Sequence, residues 1–210
     1  MEFETRLQEG ASHLANHDPA MAVLVKRFGL PTFRPHQNYH QELVESIVSQ
    51  QLSVKAAAAI LKRFIALYDH FPSPEDILAS SPDSLRDVGL SWAKVSYIHD
   101  LASQVQTGSI SFESLDSLTN QQIIKRLTQI KGIGIWTVHM FLIFAMGRLD
   151  VLAVGDLGVK TALSRLYNFE HVAKDVDLIQ LSLINRWHPY ESLVCWYGWQ
   201  SLENSPSLSA

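Results

Sequence analysis

Residues 127–148 read LTQIKGIGIWTVHMFLIFAMGR, and this stretch sets the architecture. An amphipathic segment ends at Ile130, the chain turns through Lys131, Gly132, Ile133 and Gly134, and an apolar segment starts at Ile135. Two glycines around one apolar residue permit a tight hairpin between helices. Their bare amides can approach a phosphate, and the N-terminus of the following helix favours an anion. Ile133 is expected to plug the hairpin into the core. A dinucleotide-binding or Walker reading fails, because no strand precedes the glycines and GxGxxG is absent.

Outward from the hairpin, apolar residues recur at helical spacing and alternating β-branched runs are nearly absent, so the fold class is all-α. Helices are expected near 4–15, 19–28, 40–51, 54–68, 93–107, 120–129, 135–146, 157–167, 176–186 and 190–202. Ser73 before Pro74, and Ser81 before Pro82, read as helix N-caps. Residues 203–210, ENSPSLSA, read as a polar tail.

The 210 residues are 47% hydrophobic, enough for a substantial core in one compact unit or two intimate lobes. No segment approaches the roughly 18 apolar residues of a membrane span, so a soluble, non-exported protein without a membrane partner is expected. Cys195 is the single cysteine, which excludes an internal disulfide and a four-thiolate iron-sulfur cluster and points to a reducing compartment. A net charge of −4 does not advertise a nucleic-acid ligand. Yet Lys125, Arg126, Lys131, Arg148, Lys160 and Arg165 fall in one stretch, and a small footprint needs only a local basic surface. His36 and His40 lie four apart, but HQNYH lacks the glutamate of the zinc-protease motif. No GxSxG turn supports Ser-His-Asp catalysis.

After the hairpin comes LAVGDLGVKTALSRLY, residues 152–167, with Asp156 at a helix start. The simple reading of Asp156 is an N-cap. A catalytic reading coexists with it. Breaking an N-glycosidic bond builds positive charge on the sugar, which an ionised carboxylate can stabilise or meet with an oriented water. Asp150, directly after Gly147-Arg148-Leu149, reads as a structural loop acid.

Five stretches in order carry a family resemblance: ELVESIVSQQLSVKAAAAI (42–60), GLSWAKVSYIHDLA (89–102), IKGIGIWTVHMF (130–141), VGDLGVK (154–160) and WHPYESLVCWYGW (187–199). Together they resemble the helix-hairpin-helix glycosylases with a Gly/Pro-rich loop and Asp, in the DNA-3-methyladenine glycosylase II branch and its compact form. The resemblance implies two helical lobes flanking a DNA-binding cleft. One would span 36–149, with the turn and the hairpin. The other would combine 1–35 with 150–210 and carry Asp156 as catalytic carboxylate. It implies double-stranded DNA with a damaged base as partner and base flipping; a monomer and a cytoplasmic or, in a eukaryote, nuclear location are expected.

Under the same resemblance Lys131, Gly132, Ile133, Gly134 and Thr137 contact DNA. One of Gln50, Gln51, Leu52 and Ser53 enters the minor groove in place of the extruded nucleotide. Without the resemblance, Leu52 reads as core and Gln50 or Gln51 as a cap. Trp136 stands where bifunctional relatives carry a Schiff-base lysine, which implies hydrolysis by water without a lysine-dependent strand nick. Trp136 is either a core aromatic or part of the base pocket, where its face would attract a cationic methylpurine. No cofactor is required; Na+ or K+ at the carbonyls of Thr128, Ile130 and Gly132 is the one metal the resemblance suggests. Two departures stand out: Gly155 where many alkylation-repair relatives have an acid, and Glu191 where Arg is frequent. The alternatives are a non-catalytic DNA-binding module, and a glycosylase for uracil, mismatched thymine or oxidised purines.

Overall fold

The computed structural model describes residues 2–203; of the tail read at 203–210, Glu203 ends a helix and residues 204–210 lie outside the described residues. Twelve α-helices are found among the described residues: α1 (Glu2–His17), α2 (Pro19–Phe28), α3 (Tyr39–Ser49), α4 (Val54–Ala66), α5 (Pro74–Ala79), α6 (Pro82–Asp87), α7 (Trp92–Gln106), α8 (Asn120–Leu127), α9 (Ile135–Met140), α10 (Leu157–Leu166), α11 (Asp175–Ile184) and α12 (Glu191–Glu203). A 3-10 turn covers Leu115–Ser117, and a π-helical turn, Phe141–Ala145, follows α9 directly. No strand occurs among the described residues, and no helix there is long and apolar enough to cross a membrane.

The chain divides into two compact units, one of residues 36–141 and one of residues 1–35 with 142–210. Sequence reasoning carried the first unit on to Leu149, so the boundary is corrected by eight residues. The reason lies in side chains of the second unit. The Phe144 ring packs on Trp199 at 5.7 Å and on Phe33 at 5.5 Å, and Ser192 Oγ donates to the Arg148 carbonyl at 2.8 Å. These contacts hold 142–149 to the terminal segments.

In the unit of 36–141, α7 is central. Its buried face, Val95, Ile98, Leu101 and Ala102, meets α3, α5 and α6, and α3 contributes Leu43, Val44, Ile47 and Val48. Side-chain caps fix where α4, α5, α6, α7 and α8 begin. Ser53, Ser73, Ser81, Ser91 and Thr119 each accept an N–H from the first turn they precede, and Ser73 and Thr119 complete capping boxes.

In the other unit, α12 is surrounded by α1, α2 and α10. Leu193, Val194 and Tyr197 of α12 are fully buried with Leu7, Leu14, Met21, Val159 and Leu163. Asp18, 1% exposed, ties its two chain segments together. Oδ1 caps α2 at Ala20 N (2.9 Å) and Met21 N (3.2 Å), while Oδ2 accepts from Trp187 Nε1 (2.7 Å) and the Tyr167 hydroxyl. A buried carboxylate is tolerable because four donors satisfy it. Burial and Asp18 both push the Tyr167 phenol up, so it stays a donor.

Candidate active site and nucleic-acid interface

Asp156 lies where the 148–156 loop becomes α10. Its backbone is extended (φ −82°, ψ 123°), and its Oδ1 accepts from Val159 N at 2.7 Å, the geometry of an N-cap. The same oxygen accepts from the indole Nε1 of Trp199 at 2.9 Å. Gly158 makes that approach possible: a Cβ there would lie 3.0 Å from Asp156 Oδ1 and 3.1 Å from Trp199 Cδ1. Both donors converge on one carboxylate oxygen, and Asp156 is half-buried rather than sealed in the core.

One stripe of α12 holds the loop that delivers this acid. Ser192 Oγ donates to Arg148 O at 2.8 Å and accepts from Val151 N at 3.1 Å. Cys195 Sγ accepts from Ala153 N at 3.4 Å, and Trp199 closes the series at the carboxylate. Residues 192, 195 and 199 share a face because three and four residues are about one helical turn. Burial pushes the Cys195 thiol up to about 12, so it serves as a neutral, packed group.

In the other unit the hairpin joins α8 to α9. Gly132 has φ +79°, and a Cβ there would meet the Tyr97 ring at 2.1 Å, so both conformation and space demand glycine. Ile133 is buried at 4% exposure and plugs the turn as expected. Asp100 of α7 organises the hairpin: Oδ2 accepts from Lys131 N at 2.9 Å and from Gln104 Nε2 at 2.8 Å, and Oδ1 lies 3.8 Å from Lys131 Nζ. Ile133 N donates to Ile130 O at 3.1 Å. Gly134, the residue before α9, is exposed, and a Cβ on it would meet nothing within 4 Å.

The turn between α3 and α4 lies against this hairpin. Gln50 Nε2 donates to Gly132 O at 2.9 Å, and Lys94 Nζ donates to Val48 O and Gln50 O at 2.8 Å each. Gln51 is exposed and has a left-handed backbone (φ +57°), Leu52 is 38% exposed, and Ser53 caps α4. The reading of Leu52 as core therefore fails. Trp136 is 49% exposed on the first turn of α9, which excludes the core reading there too. Thr137 differs: it is buried at 6% exposure, because it sits one residue round the helix from Trp136.

Residues 44–188 match the model of the HhH-GPD superfamily of base excision DNA repair proteins. The chain belongs to this superfamily. Among HhH-GPD proteins it is 33% identical to DNA-3-methyladenine glycosylase 1 of Schizosaccharomyces pombe, covering 95% of this chain and 90% of that protein. The solved S. pombe Mag1, a 3-methyladenine DNA glycosylase in complex with abasic DNA, superposes with a TM-score of 0.79 at 32% identity, covering 93% of this chain and 97% of that one. A DNA-3-methyladenine glycosidase from Bacillus halodurans superposes with a TM-score of 0.85 at 35% identity, covering 93% and 89%.

Within this HhH-GPD chain, sequence reasoning missed Trp199, Ser192, Cys195, Lys94 and Asp100. The first three lie in the WHPYESLVCWYGW segment, where their spacing of three and four residues was the available signal. Glu191, at the position of a frequent arginine, begins α12, is 8% exposed and accepts from His188 Nδ1 at 3.1 Å.

Proposed function

We propose that this chain is a monomeric DNA base-excision glycosylase that hydrolyses the N-glycosidic bond of alkylated purines, of the 3-methyladenine and 7-methylguanine class. The observation that carries the reading is the Asp156 carboxylate, held on one oxygen by Val159 N and Trp199 Nε1 in a chain of the HhH-GPD superfamily. The relatives' names as 3-methyladenine glycosylases support the substrate class.

Methylation at N3 or N7 gives the purine a positive charge. When the bond from C1′ to the base nitrogen breaks, its electron pair leaves with the base, which departs neutral, and the deficit passes to the sugar. Asp156 stabilises that developing charge and orients the water whose oxygen bonds to C1′; the water's proton is released, leaving an abasic site. General-acid help is little needed for a base that leaves neutral. Trp136, with no lysine at its position, gives an aromatic face to the cationic base and no amine for a Schiff base.

DNA is held through phosphate at the hairpin. Lys131 N and Ile133 N are committed within the protein, so the amides of Gly132 and Gly134 and the exposed Lys131 ammonium are assigned to this contact. The turn of residues 50–53 replaces the flipped nucleotide. Gln51 and Leu52 are assigned to the groove and Gln50 to the protein itself, because its amide already engages Gly132. The carbonyls of Thr128, Ile130 and Gly132 are a donor set suited to Na+ or K+. Those of Ile130 and Gly132 each accept one internal bond, which leaves each a second lone pair. A bound cation there would add positive charge beside the phosphate.

A second reading, a non-catalytic DNA-binding module, draws on the fact that Asp156 is also an N-cap. Base release from methylated duplex DNA separates the two. Methylpurine release, with strand breaks only after alkali, supports the glycosylase; DNA binding without release of any damaged base supports the module.

A further inference from the structure

We infer that Lys94 is a positioning residue for the turn that extrudes the base, and that Gln50 links this turn to the phosphate-binding hairpin. The inference rests on the proposed function and deepens it: backbone capture at the hairpin and base extrusion at the turn become one mechanical event.

Helix α3 ends at Ser49, and carbonyls at a helix C-terminus lack intrahelical donors. Ser46 O accepts from Ser49 Oγ at 3.0 Å, and Ser49 O from Leu52 N at 3.1 Å. Lys94, from α7, supplies the next donors, bridging Val48 O and Gln50 O with one ammonium. A cation at this end also complements the helix dipole. The Lys94 side chain is half-buried, and burial lowers its pKa from the ordinary value.

The pinned carbonyls stand directly before Gln51, whose left-handed backbone costs energy that the surroundings must supply. With Gln50 O fixed by Lys94 and Gln50 Nε2 fixed on Gly132 O, the residue before the strained position is held at both backbone and side chain. That arrangement presents Gln51 and Leu52 as an exposed tip. Helix α7 supports the hairpin as well, through Tyr97 at Gly132 and Asp100 at Lys131. The contacts from positions 94, 97 and 100 lie at helical spacing on one side of α7, so a single rigid element sets both DNA-facing features.

The test uses single-turnover excision from two duplexes. Each carries one 7-methylguanine, paired with cytosine in the first and opposite a stable abasic analogue in the second. Extrusion costs less when the lesion has no partner base. Lys94→Met is expected to slow excision from the paired duplex about tenfold, the effect of losing a charged donor. The duplex without a partner base should show little change. Lys94→Arg should restore most of the rate, and affinity for undamaged duplex should keep its salt dependence. Gln50→Leu, which leaves the Lys94 bonds intact, should show the same split and carries the test should Lys94→Met fail to fold. Equal loss on both duplexes, or no loss on either, overturns the inference. Wild-type protein inert on both duplexes rejects 7-methylguanine as a substrate, and this inference with it.

Discussion

The indole N–H of Trp199 donates to Oδ1 of Asp156 at 2.9 Å, on the same oxygen that Val159 N reaches at 2.7 Å. The carboxylate is therefore oriented from two directions, one of them a side chain 43 residues away. Trp199→Phe keeps most of the aromatic packing on Phe144 and removes only the donor. Excision is predicted to fall about tenfold or more, with the fold and duplex binding retained, since one hydrogen bond to a charged group is lost. Single-turnover rates with wild type and variant check this; an unchanged rate removes Trp199 from the positioning of Asp156.

Two glycines of the hairpin should respond oppositely. Gly132→Ala places a methyl on the Tyr97 ring and forces a left-handed backbone, at a cost of roughly 1–3 kcal/mol in stability. At Gly134 an added Cβ meets nothing within 4 Å, so Gly134→Leu should leave stability within about 0.5 kcal/mol. It should nevertheless weaken binding to every DNA sequence alike by blocking amide approach to phosphate. Urea unfolding paired with binding at several salt concentrations distinguishes these outcomes, and intact affinity in Gly134→Leu would remove that amide from the contact.

His40 gives a pH dependence. Burial depresses its pKa below the ordinary 6.5, against a smaller opposing effect of Glu75, and its Nε2 is buried beside Phe71 and Phe112. The unfolded chain takes up a proton that the folded ring resists. The stability contribution is thus complete above pH 6.5 and declines as pH falls towards the depressed value. His139, also lowered by burial, adds in the same direction. His40→Leu should lose less stability than wild type between neutral and mildly acidic pH. Equal slopes in denaturation midpoint against pH would contradict this.

Cys195 is fully buried and its thiol is pushed up to about 12. The thiolate is the reactive species, so thiol reagents at mildly alkaline pH should leave the native protein unmodified and react fully once it is unfolded. Rapid labelling of native protein would show that the loop from Arg148 to Asp156 opens readily.

How much of this was legible in the sequence depended on the range of each interaction. The hairpin glycines, the Ser73 and Ser81 caps and Asp156 at a helix start are local patterns, readable within one helical turn. Asp18 with Trp187, Trp199 with Asp156, and Lys94 with Val48 and Gln50 join residues far apart in sequence, and no periodicity encodes such pairs. The exposure of Trp136 and burial of Thr137 were hidden because adjacent helix positions point apart by a rotation the glycine hairpin sets. The unit boundary was missed by eight residues because Phe144 belongs with Trp199 and Phe33, although its stretch looks continuous with α9.

The most direct test is release of methylpurines from methylated duplex DNA, followed by chromatography for wild type and Asp156→Asn. The account predicts 3-methyladenine and 7-methylguanine release by wild type alone, strand breaks only after alkali, and an Asp156→Asn protein that folds and still binds abasic DNA. Undiminished release by Asp156→Asn would contradict the assignment of the catalytic carboxylate. No release by wild type from this DNA, or from DNA with uracil, hypoxanthine or oxidised bases, would contradict the glycosylase function itself.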